Sequence, residues 1–205
     1  MTSLPLSNPG VLRKPSAVFL DRDGVLIADD GLITLESHLR VLPGVPKALA
    51  DLKGAGLKLV VVSNQPVVAR GMLEEHQVIA LHKVLEARLQ ALGAPPMDGF
   101  YFCPHHPNAT LESYQMDCSC RKPKPGLLLR AAEELGLELS ESFMVGDRPT
   151  DLLAGARAGC RTVWTQTGQH AAPLIETAEP IEKPPRADFV CEDLAQAAAW
   201  ILETR

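Results

Sequence analysis

The chain carries no surplus of positive charge: 20 Lys and Arg stand against 25 Asp and Glu in 205 residues, a formal net charge of −5. A nucleic-acid binder needs a basic face, so that class of function is excluded. No apolar run approaches membrane-spanning length. The first sixteen residues are broken by Pro5, Pro9 and Pro15 and do not read as a signal peptide. Internal repeats and low-complexity tracts are absent as well. The expectation is a cytoplasmic monomer with one sizeable core and little chain for a second. Disulfides are rare in that compartment, which makes the five cysteines worth explaining.

What is present begins with Ala17-Val18-Phe19-Leu20-Asp21-Arg22-Asp23-Gly24. A short apolar run suits a strand buried on both faces. Its end leaves Asp21 and Asp23 at the rim of a sheet, where α/β proteins bind ligands. Two acids so close cannot comfortably both ionise without a cation between them, and a hard divalent ion with oxygen ligands, magnesium, meets that need. For this tetrapeptide alone, a solvated Asp-Arg-Asp-Gly turn is the blander alternative. The same design recurs, however. Lys58 to Val62 runs into Ser63-Asn64-Gln65, and Phe143 to Gly146 runs into Asp147-Arg148, with a third acid at Asp151. Between them Arg121-Lys122-Pro123-Lys124-Pro125-Gly126 precedes a helical pattern. Acids for a metal, with fixed cations and Ser/Asn donors for phosphate oxygens, make a set suited to phosphoryl transfer.

Three cysteines cluster in Cys103-Pro104-His105-His106-Pro107 and Cys118-Ser119-Cys120. Cys-x-His followed by Cys-x-Cys offers one nitrogen and three sulfurs, the donor set of a closed structural zinc site. The alternatives are a disulfide, which the compartment disfavours, and inert core thiols, which the surrounding Pro, His, Asn and Asp disfavour. Cys160 and Cys191 stand in apolar surroundings and read as small core residues. Asn108 to Asp117 has no clear period and is too long to hold its shape unaided. Stapling its ends would fix the chain just before Arg121 and Lys122.

Periodicity supplies the rest of the fold. Helices are expected over 44–56, 74–92, 126–136, 149–159 and 194–202, with Val78, Leu81, Leu85, Leu89 and Leu92 as the core stripe of the second. His76 and His82 on that helix read as solvated or packed. Gly99 to Phe102, Arg161 to Trp164 and Asp188 to Val190 read as further strands. Alternating strands and helices imply one doubly wound, mainly parallel α/β sheet. Residues 1–16 form an N-terminal extension, and 170–187, rich in Pro, Glu and Ala, an exposed excursion.

These four motifs, in this order, resemble the haloacid dehalogenase-type phosphatases across residues 17–166. The resemblance implies that Asp21 is a nucleophile, Asp23 an acid/base, and Ser63 and Lys122 catalytic partners. It implies magnesium held by Asp21, Asp147 and the main-chain carbonyl of Asp23. The two cysteine motifs narrow the likeness to the D,D-heptose 1,7-bisphosphate phosphatase and histidinol-phosphatase group. That likeness makes Cys103, His105, Cys118 and Cys120 the zinc ligands, leaving His106 spare. It brings Arg22, Asn64, Gln65, Arg121 and Arg148 to the substrate, a small phosphorylated metabolite, and assigns the sugar-facing loop to Asp29, Asp30, Gly31 and Leu32. Residues 17–205 then form one Rossmann-like phosphatase domain with the zinc loop, 103–120, inserted. Too little chain separates the motifs for an independent cap.

The chain departs from the group's pattern in two places. Pro66 follows Asn64-Gln65 where the group has a serine, removing a hydroxyl and a backbone donor. Asp30 and Leu32 replace a histidine and a tyrosine, and a carboxylate would sit poorly beside a second phosphate. The expected activity is hydrolysis of D-glycero-D-manno-heptose 1,7-bisphosphate at the 7-position through an aspartyl-phosphate, with weaker discrimination between bisphosphate and monophosphate. Histidinol phosphate or another sugar phosphate is the alternative substrate. A zinc-stapled binding protein without activity is the alternative from another class, and it would call for a missing nucleophile or metal acid.

Overall fold

The computed structural model describes residues 14–168 and 186–205. Most of the expected extension at 1–16 and of the excursion at 170–187 therefore lies outside the described residues. Six strands, β1 (Ala17–Leu20), β2 (Lys58–Asn64), β3 (Gly99–Cys103), β4 (Phe143–Gly146), β5 (Arg161–Thr165) and β6 (Phe189–Cys191), form one sheet. Their order is β3-β2-β1-β4-β5-β6 and every pairing is parallel. The chain thus winds outward from β1 in one direction, returns, and winds outward in the other. The seam between β1 and β4 is the switch point at which such sheets bind ligands.

The helices are α1 (Val45–Gly54), α2 (Pro66–Ala69), α3 (Glu75–Ala91), α4 (Gly126–Leu135), α5 (Pro149–Ala158) and α6 (Leu194–Thr204). Strand alternation sorts them into two layers. Val18, Leu20, Leu59 and Val61 face one way, onto Leu49 and Leu52 of α1, Leu81 and Leu85 of α3, and Ala197 and Ile201 of α6. Ala17, Phe19, Val60 and Val62 face the other, onto Leu127, Leu128 and Ala131 of α4 and Ala154 of α5. Because both faces are covered, the central strands read as unbroken apolar runs rather than as alternation. Cys160 and Cys191 are buried among these residues, and burial pushes each thiol up to about 12.

The expected elements form within a residue or two of their sequence bounds, and glycines at 136 and 159 end α4 and α5 in the left-handed region. One stripe residue differs. Leu92 caps the end of α3 and is 59% exposed, because the helix stops one residue earlier and the next turn leads the chain away from the core. The short α2 gave no sequence signal, since four residues are too few to establish a period. Its first residue is Pro66, at a position where the missing N–H has no helical partner to lose.

Helix α5 approaches the sheet so closely that a Cβ built on Gly155 would lie 2.5 Å from Cβ of Met144 and 3.1 Å from Cγ2 of Thr162. Gly155→Ala gains about 1 kcal/mol of helix propensity but overpacks this contact at a cost of about 1–3 kcal/mol. The close approach wins, so urea unfolding should show a net loss of up to about 2 kcal/mol; a stabilised variant would refute the tight α5–β4 packing.

Candidate active site

The C-terminal ends of β2, β1 and β4 lie side by side and deliver Ser63, Asp21 and Asp147 to one edge. Leu20 pairs with Val61 on one side and Val145 on the other, and the Asp21 N–H donates to the Val145 carbonyl at 3.0 Å. Lys122 arrives from the loop ahead of α4. Its Nζ stands 2.7 Å from an oxygen of Asp21 and 2.7 Å from an oxygen of Asp151, and also donates to the Val62 carbonyl at 2.8 Å. Burial alone would lower this ammonium, but Asp151 and Asp21 outweigh it and raise it, so Lys122 stays charged. Asn64 holds the Lys122 backbone reciprocally: its amide donates to the Lys122 carbonyl at 3.0 Å and its oxygen accepts the Lys122 N–H at 3.0 Å.

Asp21, Asp147 and Asp151 each offer an oxygen within 4.8 Å of the others, and all three side chains are buried. Both oxygens of Asp147 are buried without a hydrogen-bond partner, although Arg148 Nε comes to 4.0 Å. Burial, then Asp151 and Asp21, push the Asp147 carboxyl up to about 9. Burial also brings Asp151 up to about 6, against the pull of Lys122. Three acids against one buried ammonium leave an unmet demand for positive charge. An oxygen-only donor set with orphaned carboxylate oxygens fits magnesium. Glycines make this crowding possible: a Cβ on Gly24, whose φ is +82°, would lie 2.6 Å from the Asp147 carboxylate. The Thr167 hydroxyl donates to the Gly24 carbonyl and closes the site from the β5 side.

Asp23 is not in this cluster through its carboxylate, which pairs with Arg22 (Nη2 to Oδ2 2.9 Å) and is 21% exposed. Burial raises it above the ordinary carboxyl range, with Asp21 and Asp29 adding to the rise and only Arg22 pulling down. Gln65 donates to Ser63 Oγ at 2.7 Å and, more weakly, to Asp23 at 3.4 Å, tying the second motif to the first.

Four donors gather at the second cluster. The sulfurs of Cys103, Cys118 and Cys120 stand 3.1–3.4 Å apart, and His105 Nδ1 is 3.5 Å from Cys120 and 3.8 Å from Cys103. Zinc–sulfur bonds of about 2.3 Å place tetrahedral sulfurs about 3.8 Å apart, so these lie slightly inside that figure. The hydrogen bond shared with Cys103 brings Cys120 down to about 5. The same bond and burial push Cys103 up, and burial first pushes Cys118 up. Three thiols in contact cannot all ionise without a cation among them. The site suits zinc. Arg121 Nη1 donates to the His105 carbonyl at 3.2 Å, and Gly126 N–H to the Ser119 carbonyl at 3.1 Å, so the loop is fastened directly to Arg121 and to α4.

Other expected residues fall less uniformly. Arg148 pairs with Asp29 at 2.9 Å and is 40% exposed, open to a ligand. Leu32 packs against Val67 and Val68. Asp30 is exposed and paired with Arg40, so its charge is partly offset. Gly31, with φ of +99°, turns the loop in open space. Arg22 differs most from expectation: it is 1% exposed and turned beneath Asp23, where it grips the acid rather than facing the open site. His106, the spare histidine, is buried and accepts the Asn108 N–H at 3.0 Å. Asp151 carried no assigned role in the sequence; its signal is its position four residues after Asp147, on the first turn of α5.

If magnesium offsets these acids, Asp147→Asn should stabilise the metal-free protein, because it removes a charge the fold cannot solvate. The folded value lies above the ordinary 3.8, so the metal-free wild type should lose stability as pH rises from about 4 toward 9. After dialysis into magnesium-free buffer at neutral pH, Asp147→Asn should melt at or above the wild-type temperature. Added magnesium should raise the wild-type melting temperature and leave the variant unmoved.

The HAD-hydrolase-like family matches residues 119–197. The chain is 42% identical over 154 residues to a D-glycero-beta-D-manno-heptose-1,7-bisphosphate 7-phosphatase of Photorhabdus laumondii subsp. laumondii, covering 75% of this chain and 81% of that one. It is 41% identical over 180 residues to the enzyme of the same name from Pasteurella multocida, covering 87% and 92%. A crystal structure of the D,D-heptose 1,7-bisphosphate phosphatase from B. bronchiseptica complexed with magnesium and phosphate superposes with a TM-score of 0.76 at 33% identity, covering 93% of this chain and 99% of that one. Among the described residues, no helix is long and apolar enough to cross a membrane.

Proposed function

The chain belongs to the family of the D-glycero-beta-D-manno-heptose-1,7-bisphosphate 7-phosphatases, phosphoric monoester hydrolases of the HAD-like class, and we propose that it removes the 7-phosphate of the same heptose bisphosphate. The observation that carries this reading is the division of labour between two acids two residues apart. Asp21 is ion-paired with Lys122, whereas Asp23 is raised by burial. One is suited to attack and the other to give a proton.

In the proposed reaction Asp21 attacks the phosphorus in line and an aspartyl-phosphate forms. Asp23 delivers its proton to the departing alkoxide, then takes one from the water that hydrolyses the acyl phosphate. Lys122 and the Ser63 hydroxyl stabilise charge on the transferring phosphoryl oxygens, while Asn64 keeps the Lys122 backbone in place. Arg121 and Arg148 are assigned to the substrate's phosphate groups, and the loop of Asp29 to Leu32 to the sugar. Magnesium, held by Asp21, Asp147 and the Asp23 carbonyl with Asp151 close by, would supply Lewis-acid stabilisation of the phosphoryl oxygens. Zinc held by Cys103, His105, Cys118 and Cys120 would fill a closed four-donor shell and stay structural.

Phosphate release should be measured over heptose bisphosphate anomers, histidinol phosphate and other sugar phosphates. The heptose bisphosphate should give the highest kcat/KM, and Asp21→Asn should lower turnover to background with its fold intact. A stronger preference for histidinol phosphate would overturn the substrate; near-normal turnover by a folded Asp21→Asn protein would overturn the mechanism.

Elemental analysis of protein purified without chelator should find about one zinc per chain, as one four-donor site requires. Cys118→Ser should then lower both the melting temperature and kcat/KM, since Arg121 and Lys122 lose their anchor. Zinc-free protein with full activity would refute the staple.

A further inference from the structure

Arg22 spends one edge of its guanidinium on Asp23: Nε donates to Oδ1 at 3.0 Å and Nη2 to Oδ2 at 2.9 Å. That fork is the strong bidentate geometry, and it fixes the plane of the carboxylate. The opposite nitrogen, Nη1, lies 3.4 Å from Nε2 of His82. Arginine has no acceptor, so the imidazole must accept there, which requires Nε2 to be unprotonated. The environment agrees: burial first, then the Arg22 charge, brings His82 down to about 3. The ring is itself held, stacked on Phe100 with centroids 5.2 Å apart and met edge-on by Phe102 at 5.7 Å. Both phenylalanines belong to β3, and His82 to α3. Its polar and ring partners among the described residues are Arg22, Phe100 and Phe102, none of them an acid that could offer it another role.

We propose that His82 is a positioning residue for the acid/base: by accepting from Arg22 it locks the guanidinium whose other edge aims the Asp23 carboxyl at the leaving oxygen. The chain of contact runs from α3 through His82 and Arg22 to Asp23, entirely beneath the open site. It gives buried Arg22 a purpose that substrate binding does not. The inference rests on the assignment of Asp23 as acid/base. A residue acting this way touches neither substrate nor metal, so its loss should be felt only where the proton matters.

The test separates leaving groups. kcat/KM reports the steps up to cleavage of the ester, before the aspartyl-phosphate is hydrolysed. An alkyl phosphate needs its leaving oxygen protonated during that cleavage; p-nitrophenyl phosphate does not. With saturating magnesium, His82→Leu should lower kcat/KM for the heptose bisphosphate about tenfold, a part of the 10²–10⁴ that general acid catalysis supplies, and for p-nitrophenyl phosphate by no more than about twofold. His82→Gln, whose amide oxygen can accept from Nη1, should recover the alkyl substrate to within about threefold of wild type. Equal losses on both substrates, or a folded Gln variant no better than Leu, would overturn the proposal. Should His82→Leu fail to fold, His82→Phe keeps the aromatic stack, lacks the acceptor, and must show the same split. Failure of the wild type on the bisphosphate would count against the substrate alone, and the comparison would then use the best alkyl phosphate of the panel.

Discussion

A single buried ammonium holds opposed demands together in this fold. Nζ of Lys122 stands 2.7 Å from both Asp21 and Asp151, with all three side chains almost fully removed from solvent. Taking such charges out of water costs several kcal/mol per ion, and the mutual attraction repays it only if the geometry is held. The geometry is held from three directions. Asn64 clamps the Lys122 backbone, the Val62 carbonyl takes a further hydrogen bond from Nζ, and the cysteine loop fixes the chain just upstream. One cation still cannot offset three acids. Asp147, with two buried and unpartnered oxygens, is where the deficit surfaces. The same imbalance that makes the metal-free site costly is what equips it to hold a divalent ion.

The cysteine loop solves a separate problem. A phosphatase can place its acids on strand ends, because strands are rigid and neighbours fix their spacing. Its cations must come from elsewhere, since β3 lies on the edge beyond β2 and the chain has to travel back over the sheet to deliver Lys122. That return runs through 104–125, in which the one regular element is a three-residue turn at Glu112–Tyr114. Four convergent donors at its two ends replace the secondary structure the segment lacks. The Arg121 bond to the His105 carbonyl then joins this cluster to the residue just ahead of Lys122.

Much of this was legible in the sequence for identifiable reasons. Buried central strands announce themselves as apolar runs, and the polar residues that end them meet at one sheet edge, so the gathering of Asp21, Ser63 and Asp147 could be read directly. Cys103, His105, Cys118 and Cys120 were legible because a metal-binding donor set has few structural alternatives in such polar surroundings. What escaped depends on three-dimensional placement. Arg22 lies between Asp21 and Asp23 and was expected beside them at the substrate, but side-chain direction after a strand end is set by packing, and here it points down onto His82. His82 itself sits on a helix whose pattern marks only an inward face, and nothing in that pattern distinguishes an inert inward histidine from one that grips an arginine. Gly24 and Asp147 are far apart in sequence, so the close approach that requires glycine there has no local signature.

The departures from the family pattern make sense as one packed unit. Taken singly, Leu32 loses a phenol, Pro66 loses a donor and Asp30 adds a charge. In the fold, Pro66 opens α2, where its N–H would have had no helical partner. The next two residues, Val67 and Val68, are buried, and Leu32 packs on them beside Val78, Phe102 and Tyr114. Asp30 turns outward to Arg40. The loop of Asp29 to Leu32 is therefore fastened to α2 by apolar contact, with the Asp30 carboxylate paired to Arg40. An apolar contact fixes where a loop sits without committing its backbone donors and acceptors. At its other end Asp29 is paired with Arg148 at 2.9 Å. Leu32, Pro66 and Asp30 thus act together: apolar contact places the loop, and the charge it carries is met by Arg40.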